Sequence, residues 1–164
     1  MKNVRTEFRR LREGKTDYRL RRNILKGQMP RIVIRKTNKY MIAQVIESHG
    51  ALDFTKVYVS SKELGKYGWH GSFKNIPAAY LTGELLARKA LKAKIKKAVV
   101  DIGMQRSTKG NKVYALVKGC KDNGMDINFS EEIAPSDDRI KGRHSKNKDM
   151  EKMFNEVKEK ISKV

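Results

Sequence analysis

Apolar and polar residues alternate in three consecutive stretches of the chain, at residues 31–35, 39–48 and 52–60. This period of two, rich in β-branched residues, predicts three β-strands. Short polar turns separate the stretches and predict that consecutive strands pair as an antiparallel meander. The second stretch is apolar on both faces, so we expect this strand to lie inside the sheet rather than at its edge.

Three later stretches have apolar residues at helical spacing. Residues 77–97 predict a long helix with a stripe of small residues on which a sheet could pack closely, and residues 111–123 predict a second helix. Between them, the apolar run at 98–102 is typical of a buried parallel strand that follows a crossover helix. A third amphipathic helix starts after Asp149, and its apolar stripe must pack on its own domain or on a neighbouring protein.

This order of elements predicts an α+β (mixed α/β) fold. A three-strand antiparallel meander is followed by helix, strand and helix, which gives one mixed sheet with helices packed on it. We divide the chain into a basic N-terminal arm with a short helix (1–29), a globular mixed-sheet domain (30–124), an irregular polar segment (125–148) and an amphipathic C-terminal helix (149–164).

The N-terminal arm is expected to be irregular up to Thr16, because residues 1–16 have no apolar period. Asp17 is a helix-capping residue type, and a helix that starts at Tyr18 follows from it. On such a helix the side chains separate by charge: three cations lie within about 60° of one another, and two apolar side chains point to the opposite side. The cations are Arg19, Arg22 and Lys26, and the apolar residues are Leu20 and Ile24.

The charge of the chain indicates a polyanionic partner. It carries 38 Lys and Arg against 18 Asp and Glu, a net charge of +20, and residues 1–36 hold 13 basic and 3 acidic residues, which is half of the excess. Residues 9–26 alone contain eight basic residues and two acidic ones. A basic arm that is merely solvated is the simpler interpretation of such a run. The arrangement of the charges on one face favours nucleic acid.

Other classes of function find little support in the sequence. It contains no run of about 18 apolar residues and no secretory signal, so we expect a cytoplasmic protein with no membrane partner. Cys120 is the only cysteine and falls on the apolar face of a predicted helix, where it is most simply a core residue. The three histidines are scattered, so we expect no metal and no cofactor.

Five stretches carry a family likeness, in the same order along the chain: REGKTDYRLR at 12–21, PRIVIRKTN at 30–38, NIPAAYLTG at 75–83, VVDIG at 99–103 and SDDRIKGRH at 136–144. Together they resemble the archaeal and eukaryotic branch of the family of large-subunit ribosomal protein eighteen. The likeness covers about residues 5–144, and the helix after Asp149 lies outside it.

The resemblance implies a structural protein without catalytic activity that binds 5S rRNA with its basic N-terminal extension. It also implies a position in the central protuberance of the large ribosomal subunit, with large-subunit rRNA and neighbouring ribosomal proteins as further partners. The RNA contacts it implies in the arm are Arg9, Arg10, Arg12, Lys15, Thr16, Tyr18, Arg19 and Arg22. The run of positive charge adds three further candidates, Arg5, Arg21 and Lys26.

Further RNA contacts are expected from the first hairpin and from a loop, although such loops are also often merely exposed. They are Arg35, Lys36 and Asn38 in the hairpin, and Trp69, His70, Gly71 and Asn75 in the loop. For Trp69 the sequence leaves two roles open, a plug in the core and a stacking surface for a base, and we favour the core.

Two other functions remain open at this stage. A metal-dependent nuclease would need several converging carboxylates, and the candidates are Asp53, Asp101 and the pairs at 131–132 and 137–138. Nothing in their spacing indicates convergence. The second alternative is an architectural nucleic-acid binder outside the ribosome, which net charge alone does not exclude.

Overall fold

A mixed four-stranded sheet lies at the centre of the protein. The computed structural model describes residues 6–50, 52–145 and 149–163. The strands are β1 (Arg31–Lys36), β2 (Met41–His49), β3 (Leu52–Ser60) and β4 (Val99–Asp101), in the order β3-β2-β1-β4. β2 pairs antiparallel with β1 and β3, and β4 pairs parallel with β1. The α+β fold, its meander and its parallel fourth strand are confirmed, and β2 is internal as predicted.

Two of the described helices precede β1 in the sequence, and the others follow β3 or β4. The α-helices are α1 (Arg9–Arg12), α2 (Tyr18–Leu25), α3 (Ile76–Lys92), α4 (Lys112–Asp122), α5 (Asp137–Lys141) and α6 (Met150–Ser162). Two 3₁₀ helices span Ser61–Tyr67 and Glu131–Ile133. None of the described helices is both long and apolar enough to cross a membrane.

Helix α3 ends earlier than the sequence predicted. It stops at Lys92 and not near Lys97, because Lys94 takes a left-handed conformation with φ of 61°. The Ile95 N–H then donates to the carbonyl of Ala90, which reverses the chain towards β4. A non-glycine residue at positive φ gives no clear signal in the sequence, so the lysine-rich end of the segment was read as helix.

The core lies between one face of the sheet and α3, and α4, α5 and α6 also pack on α3. The prediction that the small residues of α3 face the sheet is wrong for Gly83. A Cβ atom built on Gly83 would lie 2.1 Å from the Leu116 carbonyl oxygen of α4, and one on Gly119 would lie 2.3 Å from the Tyr80 carbonyl oxygen. These two glycines let the α3 and α4 backbones approach closely. Cys120 is fully buried at the same contact, and burial raises the pKa of its thiol.

The segment predicted to be irregular, 125–148, contributes to the core. It contains α5 and the 3₁₀ helix Glu131–Ile133, and it buries Met125, Ile127 and Ile140. Elements of three to five residues are shorter than the window in which a helical period can be recognised.

Helix α6 packs on its own domain, which resolves the alternative left open by its sequence. Its buried residues are Met150, Phe154, Val157 and Ile161. They lie against α3, α5 and the 3₁₀ helix Ser61–Tyr67, and the Phe154 ring is 5.8 Å from that of Tyr80. Asp149 occupies the N-terminal cap position of α6, as predicted, but its side chain makes no capping hydrogen bond to the helix.

Candidate nucleic-acid interface

The N-terminal arm contains one short helix that the sequence did not predict. α1 forms a single turn, and the chain leaves it through Gly14, whose φ is 61°. Arg10 Nε then donates to Thr16 Oγ1 at 3.0 Å, which closes the loop between α1 and α2. Arg9 and Lys15 both form exposed ion pairs with Glu13, at 3.7 and 2.7 Å. Such exposed pairs contribute little to stability and can exchange for a phosphate.

Helix α2 presents cations on one face, as predicted. The Asp17 carboxylate accepts hydrogen bonds from the backbone N–H groups of Arg19 and Leu20, at 2.9 and 3.0 Å, so the predicted cap is confirmed. Arg19, Arg22 and Lys26 are exposed. Within the described residues, no carboxylate lies within 4.0 Å of their charged groups. Their charge is therefore available to a partner.

The opposite side of α2 faces the sheet surface that carries no core helix. Ile24 is half-buried there, whereas Leu20 keeps 40% of its surface exposed. Thr16 and Leu20 line a small cleft of about 120 Å³ together with Arg35 and Asp101 of the sheet. The arm thus lies over the ends of β1 and β4.

An ion-pair network ties α2 to the sheet; it consists of Arg21, Asp53, Arg31, Asp101 and Arg35. Arg21 Nη2 lies 2.8 Å from one Asp53 oxygen, and Arg31 Nη2 lies 2.9 Å from the other. Arg31 is only 2% exposed, and its other terminal nitrogen is 3.0 Å from Asp101. Arg35 completes the network with a longer contact of 3.4 Å to Asp101. Positive and negative groups therefore alternate from the arm to the sheet edge.

Asp53 is the link between arm and sheet, and it stays ionised. Partial burial works against its charge, but hydrogen bonds from Ser48 and Arg21 and the charges of Arg31 and Arg21 outweigh it and lower the Asp53 pKa to about 2. Arg21 was predicted to contact RNA. In the structure its guanidinium pairs with Asp53 and ties α2 to the sheet, and the RNA contact stays a prediction.

Arg35 and Asp101 also have structural contacts. The Asp101 carboxylate accepts from the Gly103 N–H at 2.8 Å and so caps the turn after β4. Arg35 donates to the Asp101 carbonyl at 3.1 Å and keeps 45% of its side chain exposed. Part of its charge is therefore compensated by Asp101.

The structure places Trp69 inside the core and not on the surface. Trp69 is 1% exposed, and its Nε1 donates to the Ser72 carbonyl at 3.3 Å. It belongs to the core, as favoured, and its ring has no free face for a base. Gly71 packs against the same ring, and the Asn75 side chain caps α3 by accepting from Ala78 N at 2.8 Å.

The remaining predicted residues differ in position. His70 is exposed beside α6, where its N–H lies 3.4 Å from Met153 Sδ, whereas Lys36 and Asn38 are exposed at the hairpin. Arg12 is exposed on the arm. Arg5 lies outside the described residues.

Sequence reasoning missed one exposed aromatic residue of the arm. The Phe8 ring lies 5.1 Å from the ring of Tyr18, with 71% of the residue exposed. An aromatic pair beside several cations offers a surface on which a base can stack. The available signal was a phenylalanine in a segment with no apolar period, directly before two arginines.

Five of the six acidic residues that could have formed a nuclease site act as counterions. Asp53 and Asp101 both hold Arg31, and Asp137 lies 2.6 Å from Lys118. Asp138 pairs with Arg143, and Glu131 pairs with Lys121. Over the described ranges, no cluster of three or more His, Cys, Asp or Glu residues could hold a metal ion. Fold and surface together define a small α+β protein that carries fixed, uncompensated cations, the class of protein that binds a polyanion.

Comparison with known proteins assigns the family. The model of the family described as ribosomal large subunit proteins 60S L5 and 50S L18 matches residues 2–97 and 92–130. The large ribosomal subunit protein uL18 of Korarchaeum cryptofilum is 51% identical over 140 residues, which cover 85% of this chain and 72% of that protein. The protein of the same name from Methanospirillum hungatei is 50% identical over 137 residues, covering 84% and 78%. The chain belongs to this family.

Membership confirms the resemblance seen in the sequence. The protein is a structural component of the large subunit of the cytoplasmic ribosome, with rRNA and other ribosomal proteins as its partners, and it is not an enzyme.

Proposed function

We propose that the protein binds 5S rRNA through its N-terminal arm and helps to attach that RNA to the large subunit in the central protuberance. The observation that carries the proposal is the position of Arg19, Arg22 and Lys26, which share one exposed face of a helix that Arg21 anchors to the sheet. Family membership supplies the ribosomal context.

The chemistry of the arm suits a folded RNA. Arg and Lys neutralise phosphates and release condensed counterions, which provides affinity that does not depend on sequence. The rings of Phe8 and Tyr18 offer a stacking surface, and the Thr16 hydroxyl retains a proton to donate to a phosphate or a 2′-hydroxyl. Most of these groups sit on a short helix held by ion pairs, so selectivity comes from how well the RNA shape matches their spacing.

A competition experiment tests this proposal against the architectural alternative. Labelled 5S rRNA bound to the protein is challenged at fixed salt with unlabelled 5S rRNA, another folded RNA of similar length and duplex DNA, all at equal phosphate concentration. We expect unlabelled 5S rRNA to displace the label at a much lower concentration than either competitor, since non-specific binding depends only on phosphate density. Equal competition by duplex DNA would contradict the proposal and favour a general nucleic-acid binder.

A further inference from the structure

A second cationic surface lies at the same end of the sheet, on the helix side. A cavity of about 440 Å³ opens between the end of β1, the loop after β4 and the starts of α3 and α4. Five basic side chains line this cationic cavity: Lys36, Arg106, Lys109, Lys112 and Arg139. They come from three separate parts of the chain, so the fold assembles the surface.

None of these cations has a counterion within the part of the chain that the structure describes. Among the residues that the structure describes, no carboxylate comes within 4.0 Å of any of the five charged groups, although the same segments contain acids paired elsewhere. Lys112 is partly buried, and this burial together with the charges of Lys74 and Lys36 lowers its pKa. Gathering like charges around a cavity costs free energy, which an anion held between them would offset.

Two segments of the chain, the end of β1 and the loop after β4, connect the cationic cavity with the cleft under the arm. Arg35 and Lys36 are consecutive residues of β1, so their side chains leave opposite faces of the sheet, one beside the arm and the other into the cavity. The loop after β4 likewise runs from the cleft under the arm to the cavity. Gly103 packs against the Arg35 guanidinium, Gln105 Nε2 donates to the Ile34 carbonyl at 2.9 Å, and Arg106 lines the cavity.

We propose that the cationic cavity binds backbone phosphates of the same RNA that the arm holds, so that the RNA passes around the end of β1. The inference rests on the proposed function and extends it to a second face of the protein. The ligand class is the RNA phosphodiester, recognised by charge at a fixed spacing and without base contacts.

Charge removal in the cavity tests this inference. The variant Arg106→Gln, Lys109→Gln, Lys112→Gln is compared with the control Lys92→Gln, Lys96→Gln, Lys152→Gln, which removes the same charge from exposed positions elsewhere. We expect the cavity variant to bind 5S rRNA at least about tenfold more weakly and to flatten the slope of log K against log[salt] by about two to three. The control should change binding far less, because distant charges are screened over about 8 Å.

A footprint on the unmodified protein gives a second readout that does not depend on any variant folding correctly. With an amine-reactive acetylating reagent, Lys109 and Lys112 should become protected in the 5S rRNA complex, while Lys96 and Lys152 keep their reactivity. If the cavity variant matches the control and Lys109 and Lys112 stay reactive in the complex, the inference is overturned. Wild-type protein that does not bind 5S rRNA selectively would instead overturn the proposed function.

Discussion

At the scale of single residues, the most consequential pair is Arg21 and Asp53. Arg21 belongs to the basic arm, but its guanidinium forms an ion pair with the Asp53 carboxylate of β3 at 2.8 Å. Asp53 in turn helps to neutralise Arg31, which is buried and needs counterions. An acidic residue therefore holds the cationic helix in place for RNA.

This role predicts an unusual response to Asp53→Asn. The substitution makes the protein more positive, which by charge alone would strengthen RNA binding. Because it frees Arg21 and loosens α2, we expect 5S rRNA affinity to fall roughly two- to fivefold, in line with about 0.5–1 kcal/mol for an accessible ion pair. The measurement is a filter-binding isotherm at a temperature where circular dichroism shows the variant folded.

The matched control is Asp126→Asn, which removes the same charge from an exposed pair with Lys97 at 3.4 Å. Its RNA affinity should stay equal or rise slightly. If Asp53→Asn behaved like this control, the ion-pair network would have no part in positioning the arm.

The residue contacts that were predictable from the sequence are the local ones. The Asp17 cap was predicted because a cap joins residues that are neighbours in the sequence. The contact between Arg21 and Asp53 joins residues 32 positions apart and depends on how the arm docks on β3, so no local pattern contains it.

At the scale of elements, α6 is a structural part of the domain rather than an appendage. Its buried stripe packs on α3, and Lys158 lies over the Tyr80 ring at 5.7 Å. Close packing of this kind makes a core residue of α6 as important for stability as one in the central sheet.

Phe154→Ala tests this view of α6. The side chain is 3% exposed, so we expect a loss of about 3–5 kcal/mol in the free energy of unfolding, measured by urea denaturation. Glu156→Ala, on the exposed face of the same helix, should change stability by less than about 0.5 kcal/mol. Equal stability of the two variants would mean that α6 is not docked on the domain in solution.

Element prediction succeeded where a period was long enough to recognise. The three meander strands, α3, α4 and α6 all follow from the spacing of their apolar residues. The elements missed were α1, α5 and the 3₁₀ helix Glu131–Ile133, which are too short for a period. The partner of Gly83 was also missed, because a small residue signals close approach but does not say whether a strand or a helix approaches.

At the scale of the whole molecule, the net charge of the sequence predicted a polyanionic partner, which agrees with membership of a ribosomal protein family. The sequence did not predict the cationic cavity, whose basic residues come from positions 36, 106–112 and 139 and meet only in the folded chain. The Trp69 loop was grouped with the arm on the strength of the resemblance, but the structure puts that tryptophan in the core.

The cationic face of α2 is the central feature of the proposed RNA contact. With about six phosphates neutralised, the slope of log K against log[salt] for 5S rRNA should be about −4 to −5. The variant Arg19→Gln, Arg22→Gln, Lys26→Gln should flatten this slope by about two to three and weaken binding, with far-UV circular dichroism and melting temperature unchanged. Glutamine retains helix propensity, so the experiment isolates charge. Wild-type affinity and slope in this variant, with the exposed-lysine triple variant as reference, would contradict the claim that the arm is the main RNA contact.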